Sequence, residues 1–230
     1  MQPYFLPYIG YFHLLAAVDR FIVYDDVKYT RKGWINRNRI LQDGRDRTIS
    51  LPLKAGADHL LIRERELAAD FDRGKLLRRI REAYRHAPNF GQTFPLVEEV
   101  VNHDERNLFR FLHHAIVRVC RHLGIATEIV VSSAVDCESG LAGADRVVAL
   151  CRASAAHTYI NAIGGTRLYS REWFAERGIT LKFVESLSLE YPQFSAPFVA
   201  SLSIIDVMMF NTNGATQTAI NRGYRLIQPP

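Results

Sequence analysis

Thr127-Glu128-Ile129-Val130-Val131, then Ala144 to Arg152, then Thr158-Tyr159-Ile160-Asn161, then Ser170 to Arg177, then Thr180-Leu181-Lys182-Phe183-Val184: this run decides the fold. Its first, third and fifth pieces are short and rich in β-branched and aromatic residues, which suit a pleated, half-buried surface. The second and fourth space their apolar residues as a helix does, and Gly178 follows the fourth as a stop. Strand–helix–strand alternation predicts parallel strands joined by crossover helices. The expected class is α/β, a mixed or mostly parallel sheet with flanking helices.

Working outward, the opening Gln2-Pro3-Tyr4-Phe5-Leu6-Pro7-Tyr8 cannot be regular helix, because Pro3 and Pro7 lack a donor and restrict the residues before them. Tyr8 to Val18 then has helical spacing. Phe21 to Tyr24 reads as a strand closed by Asp25-Asp26. Trp34 to Leu41 and Arg47 to Leu53 flank Gln42-Asp43-Gly44-Arg45, which predicts a β-hairpin near 34–53, since Asp-Gly accepts positive φ at both turn positions. From Asp72 to Gly124 the pattern is helical, with Asp104 as the expected cap of a long helix. This block, 72–124, reads as a helical layer or sub-domain within one unit spanning 1–230. Ser203 to Phe210 is an expected helix with Ser203 and Asp206 spaced as in a capping box. A last helix runs from Ala215 to Asn221 and ends at Gly223.

The chain has 230 residues, 48% hydrophobic and 23% charged, which excludes a disordered tail, a collagen-like repeat and a disulfide scaffold. No apolar run approaches the roughly 18–20 residues of a membrane span. The start lacks a basic segment and an apolar core, so no signal peptide is expected and the cytoplasm is the expected location. Lys+Arg minus Asp+Glu is 29 − 24 = +5. That mild, dispersed charge does not predict a nucleic-acid partner but suits an anionic small substrate. Cys120, Cys137 and Cys151 lack C-x-x-C spacing, and the eight histidines lack H-x-x-x-H spacing, so no metal site is expected. The sequence names no cofactor.

Four stretches carry residue types with chemical use. Tyr4, Phe5, Tyr8, Tyr11 and Phe12 crowd the start beside Gln2, Gly10 and His13. Aromatic faces with a polar rim suit a sugar or a base, or else anchor a core. Asp25-Asp26 follow a strand, where α/β sheets bind ligands at carboxyl ends. Trp34-Ile35-Asn36-Arg37-Asn38-Arg39 combines an aromatic face, amides and two guanidinium groups that share one face of a strand, a match for phosphate or carboxylate. Asn161-Ala162-Ile163-Gly164-Gly165 leads from a strand toward a helix, followed by Tyr169, and its glycine pair would let backbone amides approach an anion.

Gln2 to Phe12, Phe21 to Val27, Gly33 to Ile40, Tyr159-Ile160-Asn161 with Gly164-Gly165 and Leu168-Tyr169, and Leu202 to Asp206 together resemble the WbqC-like family, and the resemblance covers essentially the whole chain. It implies a role in bacterial O-antigen or other surface-polysaccharide assembly, with transfer of a glycyl or similar acyl group to a sugar. It brings no catalytic residue with it. The family's short apolar stretch before the Gln-Pro-Tyr motif is missing here, which leaves either a truncated start or a very short first strand. On the transferase reading the substrate is a sugar or nucleotide-sugar. Gln2, Tyr4, Tyr8, Gly10, Tyr11, Asp26, Trp34, Asn36, Arg37, Arg39, Asn161, Gly164, Gly165 and Tyr169 would bind it. His13, Asp25 and Asp206 are the acid/base candidates, since the attacking hydroxyl or amine must lose a proton. The alternatives are a non-catalytic carbohydrate- or nucleotide-sugar-binding protein and a nucleotide-binding α/β enzyme.

Overall fold

The computed structural model describes residues 1–138 and 140–228. Among the described residues, three small sheets and eight α-helices build a mixed α/β structure. Strand β1 (Arg20–Val23) pairs in parallel with β4 (Glu128–Val131), Phe21 opposite Ile129. Strands β2 (Arg37–Gln42) and β3 (Arg45–Ser50) form the antiparallel hairpin. Strand β5 (Thr158–Ala162) pairs in parallel with β6 (Thr180–Ser186), and β6 pairs antiparallel with β7 (Tyr224–Ile227). The expected strands at 127–131, 158–161 and 180–184 are all present. The sheet is divided rather than continuous, because β1 and β5 end their sheets and do not pair with one another.

Helix α1 (Ile9–Ala16) lies beside β5 and β6. The block expected to be helical comprises α2 (Arg73–Tyr84), α3 (Phe90–Asn102) and α4 (Leu108–His122). Its buried residues Ile80, Tyr84, Val97 and Phe111 belong to the same apolar core as Phe5, Phe12, Val23 and Ile35. A second cluster, with Val147, Phe174, Leu181 and Phe183, joins α5 (Gly143–Ala153), α6 (Arg171–Ala175) and β6. Helices α7 (Ile204–Phe210) and α8 (Asn213–Arg222) lead into β7.

Local chemistry explains the boundaries. The hairpin turn is Asp43-Gly44, with φ of 53° and 69°, the left-handed pair that a two-residue turn needs. Asn107, not Asp104, caps α4, its side chain accepting from the Arg110 N–H. Ser203 caps α7, but the expected capping box does not form. The Ser203 N–H donates to the Arg39 carbonyl, and the Asp206 carboxylate turns inward instead. β7 lies beyond Gly223, where a four-residue run is too short to show a period. No helix among the described residues is long and apolar enough to cross a membrane.

Candidate functional site

The carboxyl ends of β1, β4 and β5 collect the polar chemistry. β1 is followed, after Tyr24, by Asp25 and Asp26, and β4 runs directly into Ser132 and Ser133. Parallel pairing sets these two ends side by side. The Ser133 N–H and hydroxyl donate to Asp25 at 3.1 and 2.7 Å. The Ser132 Oγ lies 3.0 Å from Asp25 and 2.5 Å from Asp26, so one hydroxyl proton sits between two carboxylates. Arg63 approaches Asp25 at 3.7 Å. Asp25 is 4% exposed and fully engaged in holding β1 to β4.

Asp26 also accepts from Arg146, on the first turn of α5, at 2.5 Å. Burial works to raise its pKa, but the Ser132 and Arg146 hydrogen bonds and the Arg146 charge hold it below the usual carboxylate value. The Arg146 guanidinium lies 5.0 Å from the centre of the Tyr24 ring. Burial is the main force pushing the Tyr24 phenol up to about 12. Tyr24 in turn lines a cleft of about 950 Å³ between β1 and β5.

Gln2, Tyr4, Asn161, Gly164, Gly165 and Tyr169 line the same cleft. The Asn161 carbonyl oxygen Oδ1 accepts from the Ala162 N–H at 2.8 Å, fixing the amide at the strand end. A Cβ on Gly165 would fall 2.6 Å from the Asn161 amide nitrogen, so a side chain there would have to displace the Asn161 amide. Tyr169 meets Tyr159 edge-on at 5.7 Å. Tyr4 packs 5.6 Å from Tyr11, and burial raises its pKa.

The remaining expected residues lie elsewhere. Tyr11 is buried and its hydroxyl donates to the Gln2 carbonyl, so it supports the motif from below. Tyr8 is exposed, bridges Ser203 through its backbone, and places its ring where a Cβ of Gly10 would be. That ring, not a ligand, accounts for Gly10. His13 is 1% exposed: its Nε2 donates to the Ala219 carbonyl at 3.2 Å, and its Nδ1 pairs with the Ser186 hydroxyl at 2.9 Å. Burial lowers its pKa, against the Ala219 hydrogen bond. Asp206 is fully buried and accepts from Tyr84 at 2.8 Å, Tyr191 at 2.6 Å and Gln193 at 2.8 Å. Burial raises its pKa, with those three donors working the other way.

The Trp34 stretch sits on the hairpin and does not line the cleft. Arg37 donates to the Gly33 and Lys32 carbonyls, and Arg39 to Asp46 and the Ser201 carbonyl. Both guanidinium groups stand over the half-exposed Trp34 ring, at 5.8 and 5.5 Å. Asn36 accepts from the Tyr29 hydroxyl and donates to the Leu51 carbonyl. Sequence reading missed Tyr24, Ser132, Ser133 and Arg146. The signal available for the serines was their place directly after a parallel strand; Arg146 offered none beyond an expected helix. Among the described residues no three His, Cys, Asp or Glu side chains gather as a metal site. Burial lifts Cys120 to about 12 and Cys151 to about 11, far from a reactive thiolate.

Fold and site together define a mixed α/β protein with a polar cluster at the carboxyl ends of its parallel strands and a cleft between the two sheets that contain them. The chain belongs to the WbqC-like protein family, whose model matches residues 2–218. It is similar to the uncharacterized protein Rv1507c of Mycobacterium tuberculosis (strain ATCC 25618 / H37Rv), with 29% identity over 215 residues, 92% of this chain and 91% of that protein. No solved structure matches the chain.

Proposed function

We propose that the protein is a transferase of surface-polysaccharide assembly, moving a glycyl or similar acyl group onto a sugar. The observation that supports this reading is the meeting of Gln2, Tyr4, Asn161, Gly164, Gly165 and Tyr169, from two separate sequence motifs, at one cleft by the strand ends. Carboxyl ends of parallel strands are where open α/β sheets bind ligands. Tyr4 and Tyr169 offer aromatic faces to a sugar ring, and Gln2 and Asn161 offer amides to its hydroxyls. In the reaction the sugar's amine or hydroxyl attacks the acyl carbonyl carbon. A C–N or C–O bond forms, the donor's leaving group departs, and the nucleophile's proton passes to a base. Asp26, ionised and beside Arg146, whose guanidinium stands over the cleft-lining Tyr24, is the base on this reading, whereas His13 and Asp206 are buried and bonded internally. Trp34 with Arg37 and Arg39 forms a separate aromatic–cationic surface on the hairpin, outside this cleft, and takes no part in the transfer on this reading.

The test incubates the protein with isotope-labelled glycine, ATP and a panel of nucleotide-sugars, follows acylated sugar by mass spectrometry, and records melting temperature with each compound. A labelled sugar product supports the transferase. Thermal stabilisation by a nucleotide-sugar without product moves the assignment to a carbohydrate-binding protein. Neither response to any sugar overturns both readings.

A further inference from the structure

Arg65 is a buried charge with neutral partners. It is 7% exposed. Its Nη2 donates to the Lys54 carbonyl at 3.2 Å, and its guanidinium carbon stands 5.0 Å from the centre of the half-buried Tyr29 ring. Its Nε is shut off from solvent and has no hydrogen-bond partner, and its Nη1 makes no hydrogen bond among the described residues. Neighbouring basic side chains do have carboxylates: Arg31 has Asp58 at 2.6 Å, Lys54 has Glu66 at 3.0 Å and Arg63 has Asp25 at 3.7 Å. Among the described residues none is left within ion-pair distance of Arg65. Burying a guanidinium is costly unless an anion and enough acceptors meet it, and one carbonyl with one ring face meets it in part.

What surrounds Arg65 is positive and thinly covered. Burial raises the Tyr29 pKa, against the charges of Arg65, Arg37 and Arg31, so three guanidinium groups share the surroundings of one phenol. The Tyr29 hydroxyl is fixed by its bond to Asn36 at 2.8 Å. Arg37 is held on the Gly33 and Lys32 carbonyls and adds its field from the hairpin side. The segment 55–59 lies across Arg65. A Cβ on Gly56 would fall 2.5 Å from Arg65 Nη1, so a side chain there would have to displace the guanidinium. Ala55, Ala57, Asp58 and His59 are exposed, and no backbone N–H of residues 55–59 donates to another described residue.

We propose that Arg65, beside Tyr29 and beneath the segment 55–59, is the floor of a binding site for a phosphoryl group, either the free ion or the end of a phosphate ester. Charge selects phosphate over carboxylate. Asp58 neutralises Arg31, whereas Arg65 and Arg37 bond only neutral groups, which leaves two positive charges around Tyr29. A phosphate ester carries close to two negative charges at neutral pH and a carboxylate carries one. Shape agrees, since a phosphate has oxygens enough to accept from the guanidinium and from backbone N–H groups of the overlying segment together. The bound anion supplies the acceptors that Nε and Nη1 lack and neutralises the buried charge. Neither Arg65 nor Tyr29 lines the cleft between β1 and β5, so this site stands whether or not the protein transfers an acyl group.

The test titrates inorganic phosphate, phenyl phosphate and acetate into the full chain by calorimetry, at matched low ionic strength and about pH 7.5, where phosphate esters are close to doubly charged. Amide hydrogen exchange is followed with and without phosphate. The expected result is saturable binding of one phosphoryl group per chain, with a Kd on the order of 0.1 mM or below for the better phosphate probe. Acetate binds at least roughly tenfold more weakly. Amides of residues 55–59 exchange more slowly when phosphate is bound. Tighter binding of phenyl phosphate assigns the site to an ester, and tighter binding of inorganic phosphate assigns it to the free ion. Arg65→Gln, which keeps an amide donor but no charge, is expected to weaken phosphate binding roughly tenfold or more. Should that variant not fold, Gly56→Ala serves in its place, with the same direction expected because its methyl group displaces the guanidinium. An arginine that only stacks on Tyr29 and holds the Lys54 carbonyl gives no saturable phosphate binding, and that outcome overturns the proposal. So does acetate binding as tightly as phosphate, or phosphate binding that the folded variant keeps in full.

Discussion

Burial keeps the His13 imidazole neutral, and its two ring nitrogens are both committed, one to a carbonyl and one to a hydroxyl. The group therefore binds a proton less readily in the fold than in the unfolded chain, where its pKa is about 6.5. The unfolded state holds more protons below that value, so stability rises with pH. The His13 contribution is complete above about pH 6.5 and is lost as the pH falls from there to the lowered folded value. His113, His114 and His122 are shifted the same way by burial and add to the slope. Melting temperature is expected to drop between pH 7.5 and 5.5, and to drop less steeply in His13→Gln, whose amide can still donate to Ala219. Equal slopes would show that His13 takes up its proton inside the fold without cost. His13 has the side chain of a general base at neutral pH, and only its packing reveals a tie between α1, β6 and α8.

At the scale of elements, turn chemistry and strand ends were readable, while long-range side-chain partners were not. Asp43-Gly44 announces its turn because few residues tolerate positive φ twice in succession. Nothing in the local pattern says that Asn38, between Arg37 and Arg39 on β2, turns its amide to the Phe5 and Leu6 carbonyls at 3.0 and 2.7 Å. That contact spans more than thirty residues and supports Leu6 at a φ of 44°. Asn38 is 5% exposed, so its removal strands the Phe5 carbonyl away from water and leaves the Leu6 carbonyl with the Ser203 hydroxyl alone. Asn38→Ala is expected to cost on the order of 2 kcal/mol. That corresponds to a melting temperature lower by roughly 4–8 °C. Amides of residues 5–12 should also exchange faster. A change below about 1 °C would mean that water reaches those carbonyls and that the hairpin does not hold the opening motif.

Across the whole molecule, the alternation of short strands and helices identifies the class because each element buries one face and must lie on its neighbour. It does not say which motifs meet. Arg37 and Arg39 share a strand face as their spacing implies, yet both fold over Trp34 and bind carbonyls and Asp46 on the hairpin. Arg146, unremarked in its helix, reaches Asp26 and Tyr24 because parallel pairing of β1 with β4 brings its helix over the strand ends. Substitution can separate the two surfaces. Asn161→Ala at the cleft is expected to lower kcat/KM for acyl transfer roughly tenfold or more, the worth of one or two lost substrate hydrogen bonds. Its melting temperature should move little, since the Asn161 side chain's recorded partner is the adjacent Ala162 N–H. Arg37→Gln is expected to do the reverse. It loses donors to the Lys32 and Gly33 carbonyls and the stack on Trp34, so stability falls first and the folded fraction keeps its turnover within about twofold. Full turnover in Asn161→Ala together with a collapse of turnover in a stably folded Arg37→Gln would move the reaction from the strand ends to the hairpin.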